Sequence, residues 1–587
     1  MKRKWVIQEK ISPEFQAQFP EFPLLILQLL SNRGLIASRE IGEFLNPQYQ
    51  RLTSPYLMKD MDRAVTRILE AIAKKQKIVI YADYDADAVT ACTVMFRGLQ
   101  ALGAEHLSWY IPDRFAEGYG LNIEALNVLA DKGVQLIITV DCGINAIEEV
   151  QAAKARGVDV IITDHHHITG DLPQAYAVIN PKRDPIKQIQ GLTGVGVAFK
   201  VVQAIASLPH QEVYAEEFSW DTSLFPKIHL NTGIIRLPAH WEKWLLDLVA
   251  IGTIADCQSL IGENRILVHF GLKVLQKTRW PGLKVLLQNA GADTRKPDAF
   301  TCGFIIAPRL NAAGRIQHAD IAFRLLATED LGEAGMYAGQ LESLNAHRQR
   351  LTEQIFSEAK SQVELQGSQK MLLVLGQNWP KGVVGLVASR LVEAYWRPAV
   401  VLEHSGGIAT GSARSIGNFN IVEAFAQHRS HLVRFGGHAQ AAGLTIEVDK
   451  IPQFHQQLLA FAERSLEDDD LIPVESIDAV AEASQLNLEF VKSLSMFEPF
   501  GPGNPAPRFL MRSVTVEGLR PVGVSGKHVK LELTQNGKII HAIAFGQAER
   551  YRGISTGSRL DVIVEPSVNS WNGKNEVQAK IIDFLPI

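Results

Sequence analysis

The sequence predicts an α/β fold: a doubly wound parallel sheet, a second α/β lobe joined to it by a long helix, and a C-terminal OB-like β-barrel. Three observations lead there. Short β-branched apolar runs at residues 77–84, 107–111, 134–140, 158–163 and 175–179 are separated by helix-like stretches at 88–102, 123–132 and 146–156. That alternation is the pattern of a parallel sheet. A stretch rich in Ala, Leu, Glu and Arg runs from Asp320 to about Leu365 and reads as one connecting helix. After the turn-rich segment 499–505, short alternating strands continue to Ile587.

Taken in order, residues 1–76 predict a helical segment, with apolar residues spaced by three and four at 24–30 and 61–73 and Pro20, Pro23, Pro47 and Pro55 as punctuation. The first α/β domain is expected over 77–318, the connecting helix over 319–366 and the second α/β domain over 367–466, its first strand near 371–375. The run Glu467-Asp468-Asp469-Asp470 reads as a solvated linker opening the last portion, 467–587. A length of 587 residues fits about three to five modules. With 46% hydrophobic and 21% charged residues, the composition excludes wholesale disorder, collagen-like repeats and coiled-coil fibres. The apolar run around 22–30 falls short of the ~18–20 residues that span a bilayer, so no membrane association is expected. The basic start Lys2-Arg3-Lys4 is followed by no apolar core with a cleavage site, so no secretory signal is expected. Four cysteines, none in a CxxC pair, point to a reducing cytoplasm. Net charge is −4, so any nucleic-acid surface must be local. Residues 505–587 supply such a surface, with 11 Lys and Arg against 7 Asp and Glu.

The chemistry is carried by the positions of acidic residues. The apolar run 78–82 leads into Asp83-Tyr84-Asp85-Ala86-Asp87, and 137–140 leads into Asp141-Cys142-Gly143. The run 161–163 leads into Asp164-His165-His166-His167, and the apolar stretch 245–255 leads to Asp256. An Asp after a strand is often only a helix cap. Carboxylates delivered from four segments repel one another unless a cation or proton intervenes. Hard oxygen ligands with histidine suit Mn²⁺ or Mg²⁺ better than a thiolate zinc site. Cys92, Cys142 and Cys257 lie near these motifs and read as small packing residues.

These strings, DYDAD, VDCG, Asp164-His165-His166 and GTIAD in that order, resemble the phosphoesterase motifs of the DHH family. Within that family the chain is similar to the bacterial single-strand-specific 5′→3′ DNA exonucleases. Supporting stretches are Arg114–Gly120, Gly194–Lys200, Glu263-Asn264-Arg265 and Pro308–Arg315; in the second lobe Gly411–Ser415 and Phe435–Ala439 resemble a DHH-associated domain. The resemblance implies phosphodiester hydrolysis with two Mn²⁺ or Mg²⁺ ions, releasing mononucleotides in DNA repair and recombination. It implies one ion at Asp85 and Asp141 with Asp83 as a further candidate, and a second at Asp87, Asp141, His165 and Asp256, Asp141 bridging. His166 is expected to orient the site or touch the scissile phosphate, and Asp164 to brace a histidine N–H. Arg309, Arg315, Ser412 and Arg414, with a Gly436-Gly437-His438 turn, are the candidates for a 5′-phosphate pocket. Arg114 is expected to contact the strand beside the ions.

In the barrel, Phe509, Phe545, Tyr551 and Trp571 lie among the basic residues. Base stacking is expected at Trp571, with Lys527, His528, Lys530 and Lys574 as phosphate contacts and Phe509 and Phe545 as core. The expected partner is single-stranded DNA with a 5′ end. The family adds a single-strand-binding protein and a RecQ-like helicase, and a two-lobed monomer is the simplest geometry. One departure is Ala88, where the family usually has Gly, which places the local backbone in question. The segment 211–241 has no counterpart in these motifs. Two rival readings remain: a DHH phosphoesterase acting on small substrates, disfavoured by the additional barrel, and a scaffold without metals, disfavoured by the complete set of ligand types.

Overall fold

The structure is a computed structural model and describes residues 3–227, 234–523, 526–571 and 574–587; the side chains of Ser570 and Trp571 fall outside the described set. The chain divides into two units: Tyr49–Leu471, and Met1–Gln48 together with Ile472–Ile587.

The larger unit begins with a five-stranded parallel sheet. Its spatial order is Leu107–Tyr110, Ile78–Ala82, Leu136–Val140, Asp159–Thr163 and Ala177–Ile179. The central strands are buried along their whole length, as expected of β-branched runs covered on both faces. The register sets Ala82 beside Val140 and Val140 beside Thr163. The next residues, Asp83, Asp141 and Asp164, therefore leave the sheet at one level. The chain turns to opposite sides of Ile78–Ala82, and ligands of doubly wound sheets bind at the carboxyl end of such a reversal.

The helices over the sheet start where the sequence caps them. Asp85 accepts a hydrogen bond from the Ala88 N–H at 3.0 Å and opens Ala86–Ala101. Thr193 caps Gly194–Ser207. The apolar stretch before Asp256 is the helix Leu246–Ala255, with Asp256 at its C-cap. The expected single connecting helix is two: Asp320–Ala327 and Leu331–Gln366. Asp330 caps the second through the Glu333 N–H at 2.8 Å, which stops the first from running on.

The second lobe is a mixed sheet in the order Leu432–His438, Ala441–Glu447, Ile408–Arg414, Ala399–Ser405, Leu372–Gln377. Only its last pair is parallel. The expected glycine turn at Gly436-Gly437-His438 is instead the end of a hairpin strand, paired with Ala441–Gly443. Glycine serves there for close approach: a Cβ on Gly437 would lie 2.3 Å from the Ala441 carbonyl oxygen.

In the smaller unit, five strands close into a barrel: Phe509–Val522, His528–Gln535, Lys538–Ala544, Lys574–Pro586 and Arg559–Trp571, the last pairing back to the first. The expectation of one helical segment over 1–76 is corrected here. Residues Lys4–Ile7 form a strand parallel to Val474–Ile477, and Leu25–Leu30 join Phe497, Phe509 and Val562 in one core. The apolar periodicity of 24–30 is that of a helix buried on a barrel. Among the described residues, no helix is long and apolar enough to cross a membrane.

Candidate metal centre

Asp83, Asp87, Asp141, Asp164 and His165 are all buried at the carboxyl end of the parallel sheet. His165 Nε2 lies 3.1 Å from Asp141 Oδ1, 3.7 Å from Asp256 Oδ2 and 4.0 Å from Asp87 Oδ2. Three carboxylates from three separated segments thus lie within 4.0 Å of one imidazole nitrogen. Two compact donor sets result: Asp87, His165 and Asp256, and Asp141, His165 and His166. The first holds three of the four residues expected for one ion; Asp141, the expected bridge, falls in the other set. The second brings in His166, which was expected to orient rather than to ligate. Asp83 and Asp85 stand outside both sets. Asp83 is nevertheless buried, and Asp85 spends one oxygen on the helix cap.

The electrostatics are those of a site built for a cation. Burial, then the Asp256 and Asp85 charges, push the Asp87 carboxyl well above its usual range. Burial and Asp87 do the same to Asp141, and burial and Asp85 push Asp256 up to about 6. Burial and the neighbouring His166 hold His165 down to about 3, so it is a neutral imidazole with a free lone pair. Asp83 Oδ1, Asp141 Oδ1, Asp256 Oδ2 and His165 Nδ1 are buried and accept or donate no hydrogen bond. Orphaned oxygens beside a neutral imidazole fit a hard divalent cation.

Asp164 is placed to brace, and it braces His166. Its Oδ1 meets His166 Nδ1 at 2.7 Å and accepts the backbone N–H groups of His165 and His166, while Oδ2 accepts that of Ile144. Burial opposes ionisation of Asp164, but the contacts with His166 outweigh it and hold the carboxyl low. Asp87 is clamped through both oxygens by the Gly194 N–H at 2.7 Å and the Val195 N–H at 3.0 Å. Sequence reading missed this clamp, although Thr193 followed by small residues is a helix-start signal. Lys182 and Asn180 tether the carbonyls of His165 and His166. Ala88 sits inside a helix, fully buried, with no left-handed backbone to satisfy. The Gly-to-Ala departure is therefore accommodated.

Beside the acidic cluster lies a cleft of about 550 Å³ whose lining includes Arg114, Tyr119, Ser412, Arg414 and Gly437. Arg114 stacks over Tyr84 at 4.9 Å. Arg414 donates to Ser412 Oγ at 2.8 Å. Near them Arg315 is half-buried and donates to the Gly382 carbonyl. Burial, then Arg114 and Arg348, lower it to about 10. Arg348, a neighbour that sequence reading missed, is carried on the long connecting helix. Arg309 is not brought to this cleft: Glu342 takes two of its nitrogens at 2.7 and 3.2 Å and the Ile305 carbonyl a third. His438 lines a separate cleft of about 660 Å³ with His166 and His167.

In the barrel, Phe509 and Tyr551 are core. Phe545, expected in the core, is 51% exposed and meets His528 edge-on at 5.5 Å. Lys530 lines a groove with Arg520 and His541. The Trp571 side chain and its proposed stacking lie outside the described residues, whereas Lys527, His528 and Lys574 are described at or near the barrel surface. Of the segment 211–241, the described stretch 211–227 carries an aromatic cluster: the rings of Tyr214, Phe218 and Trp220 lie 4.9–5.2 Å apart, and the Trp220 indole donates to the Leu52 carbonyl.

Comparison with known proteins assigns these parts. Family models match residues 77–253 as the DHH family N-terminal domain, 367–464 as the DHHA1 domain and 477–583 as the RecJ OB domain. The single-stranded-DNA-specific exonuclease RecJ of Salmonella typhimurium is 32% identical, covering 100% of both chains. The chain belongs to the RecJ family. RecJ of Bacillus subtilis is 38% identical over 99% of this chain and 71% of its own length. The crystal structure of RecJ from Thermus thermophilus in complex with Mn²⁺ superposes with a TM-score of 0.82, at 29% identity, over 99% of this chain and 79% of that one. The same protein with Mg²⁺ gives 0.75 at 28% identity, over 99% of this chain and 78% of that one. The RecJ fold class read from the sequence, with its parallel-sheet, DHH-associated and OB parts, is therefore the observed one. The hard-cation donor set is also what RecJ structures holding Mn²⁺ or Mg²⁺ lead one to expect.

Proposed function

We propose that this RecJ family member hydrolyses single-stranded DNA from its 5′ end to mononucleotides, using two divalent ions, Mn²⁺ or Mg²⁺, in DNA repair and recombination. Single-strand exonuclease activity follows from family membership. The observation that carries the finer reading is the pair of donor sets that share His165, Asp87 with Asp256 and Asp141 with His166, next to an arginine-lined cleft. When bound, the ions supply a nucleophilic water near neutral pH and neutralise charge on the phosphate.

The chain's own residues supply the rest. Asp87, Asp141, His165 and Asp256 would hold one ion; Asp141 and His166, with Asp85 and Asp83 nearby, would hold the second. The Asp164 contact at Nδ1 fixes the ring of His166 and leaves its Nε2 for that ion. Arg414 and Ser412, with Arg315 near them, receive the terminal 5′-phosphate, and Arg114 steadies the linkage to be cut. An end-reading pocket a fixed distance from the cutting site is what makes a nuclease remove one nucleotide at a time. The charged groove and exposed Phe545 of the barrel would hold the following strand.

Asp141→Asn is the test of the metal reading. Asp141 has φ 61°, a left-handed conformation Asn tolerates and Ala does not favour. The variant should lose activity by roughly 10³-fold or more, as expected when a charge-stabilising contact at the reacting phosphate is lost. Mn²⁺ should raise the melting temperature of the wild type and leave that of the variant unchanged. Near-normal turnover would overturn the scheme. Arg414→Ala should lose turnover mainly on 5′-phosphorylated strands; equal loss on 5′-hydroxyl strands would speak against end reading.

A further inference from the structure

The cleft beside the metal centre is lined by Arg114, Lys381, Arg414 and Arg434 against one carboxylate, Glu117, more positive charge than one terminal phosphate requires. In the mixed sheet, residues opposite one another share a face. Three cross-strand rows lie side by side: Arg414–Ala441–His438, Ser412–Gly443–Gly436 and Thr410–Thr445–Arg434. Ser412 is paired with Val401, which packs on the Lys381–Tyr395 helix, so all three rows face that helix.

The first row abuts the catalytic lobe, since the His438 ring lies 5.9 Å from that of His167. In the middle row Ser412 and Gly443 line the cleft, and Gly436 lines the neighbouring one. A Cβ on Gly436 would meet nothing within 4 Å, and one on Gly443 only the Gly411 carbonyl oxygen at 3.8 Å. The third row lies two residues farther along each strand, roughly 7 Å beyond the middle row. There Arg434 stands exposed, its Nε donating to Thr445 Oγ1 at 3.2 Å. Lys381, at the first turn of the facing helix, lines the same cleft. Among the described residues, no carboxylate lies within 4.0 Å of either cation.

A terminal phosphomonoester carries about two negative charges, and Arg414, with Arg315 near it, matches them. The strand ends at that phosphate. Under the proposed function its internal phosphates would run back past the metal centre, away from the far row. What remains to cross the middle row and meet Lys381 and Arg434 is further phosphate on the same 5′ end.

We propose that the cleft accepts a 5′-polyphosphate terminus, so that 5′-triphosphorylated single strands are substrates of this enzyme. The proposal rests on the 5′-phosphate pocket described under the proposed function. In the reaction the O3′–P bond of the first linkage breaks and water oxygen joins the phosphorus. The proton ends on O3′ of a released nucleoside 5′-triphosphate. The shortened strand then begins with a monophosphate, and later cycles release mononucleotides.

The experiment compares first-cut kcat/KM of the full chain with Mn²⁺ on one single-stranded oligonucleotide bearing a 5′-hydroxyl, 5′-monophosphate or 5′-triphosphate. Wild type should cut the triphosphate within about ten-fold of the monophosphate and release a nucleoside triphosphate first. Lys381→Ala and Arg434→Ala, both at exposed positions, should each lower the triphosphate rate by roughly ten-fold, the loss of one charge-assisted contact, and leave the monophosphate rate unchanged. Inorganic tripolyphosphate should inhibit wild type more strongly than inorganic phosphate, and that preference should shrink in both variants. A triphosphate cut roughly a hundred-fold more slowly than the monophosphate, about 2.7 kcal/mol of discrimination, would overturn the proposal, as would equal losses on both ends. Equal wild-type rates on hydroxyl and monophosphate ends would instead refute the pocket itself.

Discussion

At the scale of single residues, the carboxylates divide into those that want a cation and those that are merely sealed in. Asp247 is of the second kind. It is fully buried, accepting from Thr278 at 2.6 Å and Trp280 at 3.2 Å. Burial still raises its pKa from 3.8 to about 6. A carboxyl raised in the folded state favours folding when protonated. Its contribution is complete below about pH 4 and is lost as pH rises through about 6. Asp247→Asn should therefore flatten stability against pH across that window, removing a loss on the order of 2–3 kcal/mol. Urea melts at pH 4 and 7 would measure it, and an unchanged slope would refute the assignment. The GTIAD motif singled out Asp256, but nothing in the sequence showed what Asp247 does. It stands in the same apolar stretch, and its role shows only in its packing against Thr278 and Trp280. The reverse holds for Arg309. Its motif was legible, but its capture by Glu342, thirty-three positions away, was not.

At the scale of elements, the start of the Gly194–Ser207 helix supports the acidic cluster. Its first two amides hold Asp87, and Gly194 leaves room for Asp141: a Cβ there would lie 2.5 Å from that of Asp141. Helix N-termini favour negative charge, so this one lowers the cost of crowding carboxylates before a cation arrives. Gly194→Ala should displace Asp141 or the helix start and reduce turnover by about a hundred-fold. Mn²⁺ affinity measured by calorimetry should weaken in parallel; an unaltered affinity would show that the glycine is there for other reasons. The alternation of strands and helices was legible because apolar period and β-branching are local. The helix break at Thr328–Asp330 was not, because its signal is one capping Asp inside an otherwise helical run. The glycine strand at Gly436–Gly437 was read as a turn for a similar reason: close backbone approach and sharp bending call for the same residue.

At the scale of the whole molecule, the first 48 residues share a core with the last 116. The Lys4–Ile7 strand pairs with Val474–Ile477, and the Trp5 indole donates to Asp583 at 2.8 Å. Residues 472–587 produced alone should therefore lack part of their core and melt well below a fusion carrying 1–48; equal melting of the two would refute the shared core. Deleting the barrel to test strand binding would also strip the covering of Leu25–Leu30, so point changes at Lys530 or Phe545 are the cleaner probe. A helical reading of 24–30 was available from periodicity, whereas its partner, more than 440 residues away, leaves no local trace. This arrangement also has a bearing on synthesis. At about 5–20 residues per second, the ribosome needs on the order of half a minute to make the 423 residues of the intervening unit. Through that interval the greasy N-terminal helix emerges with nothing native to lie against, which makes it a natural client for the chaperones that wait at the exit tunnel.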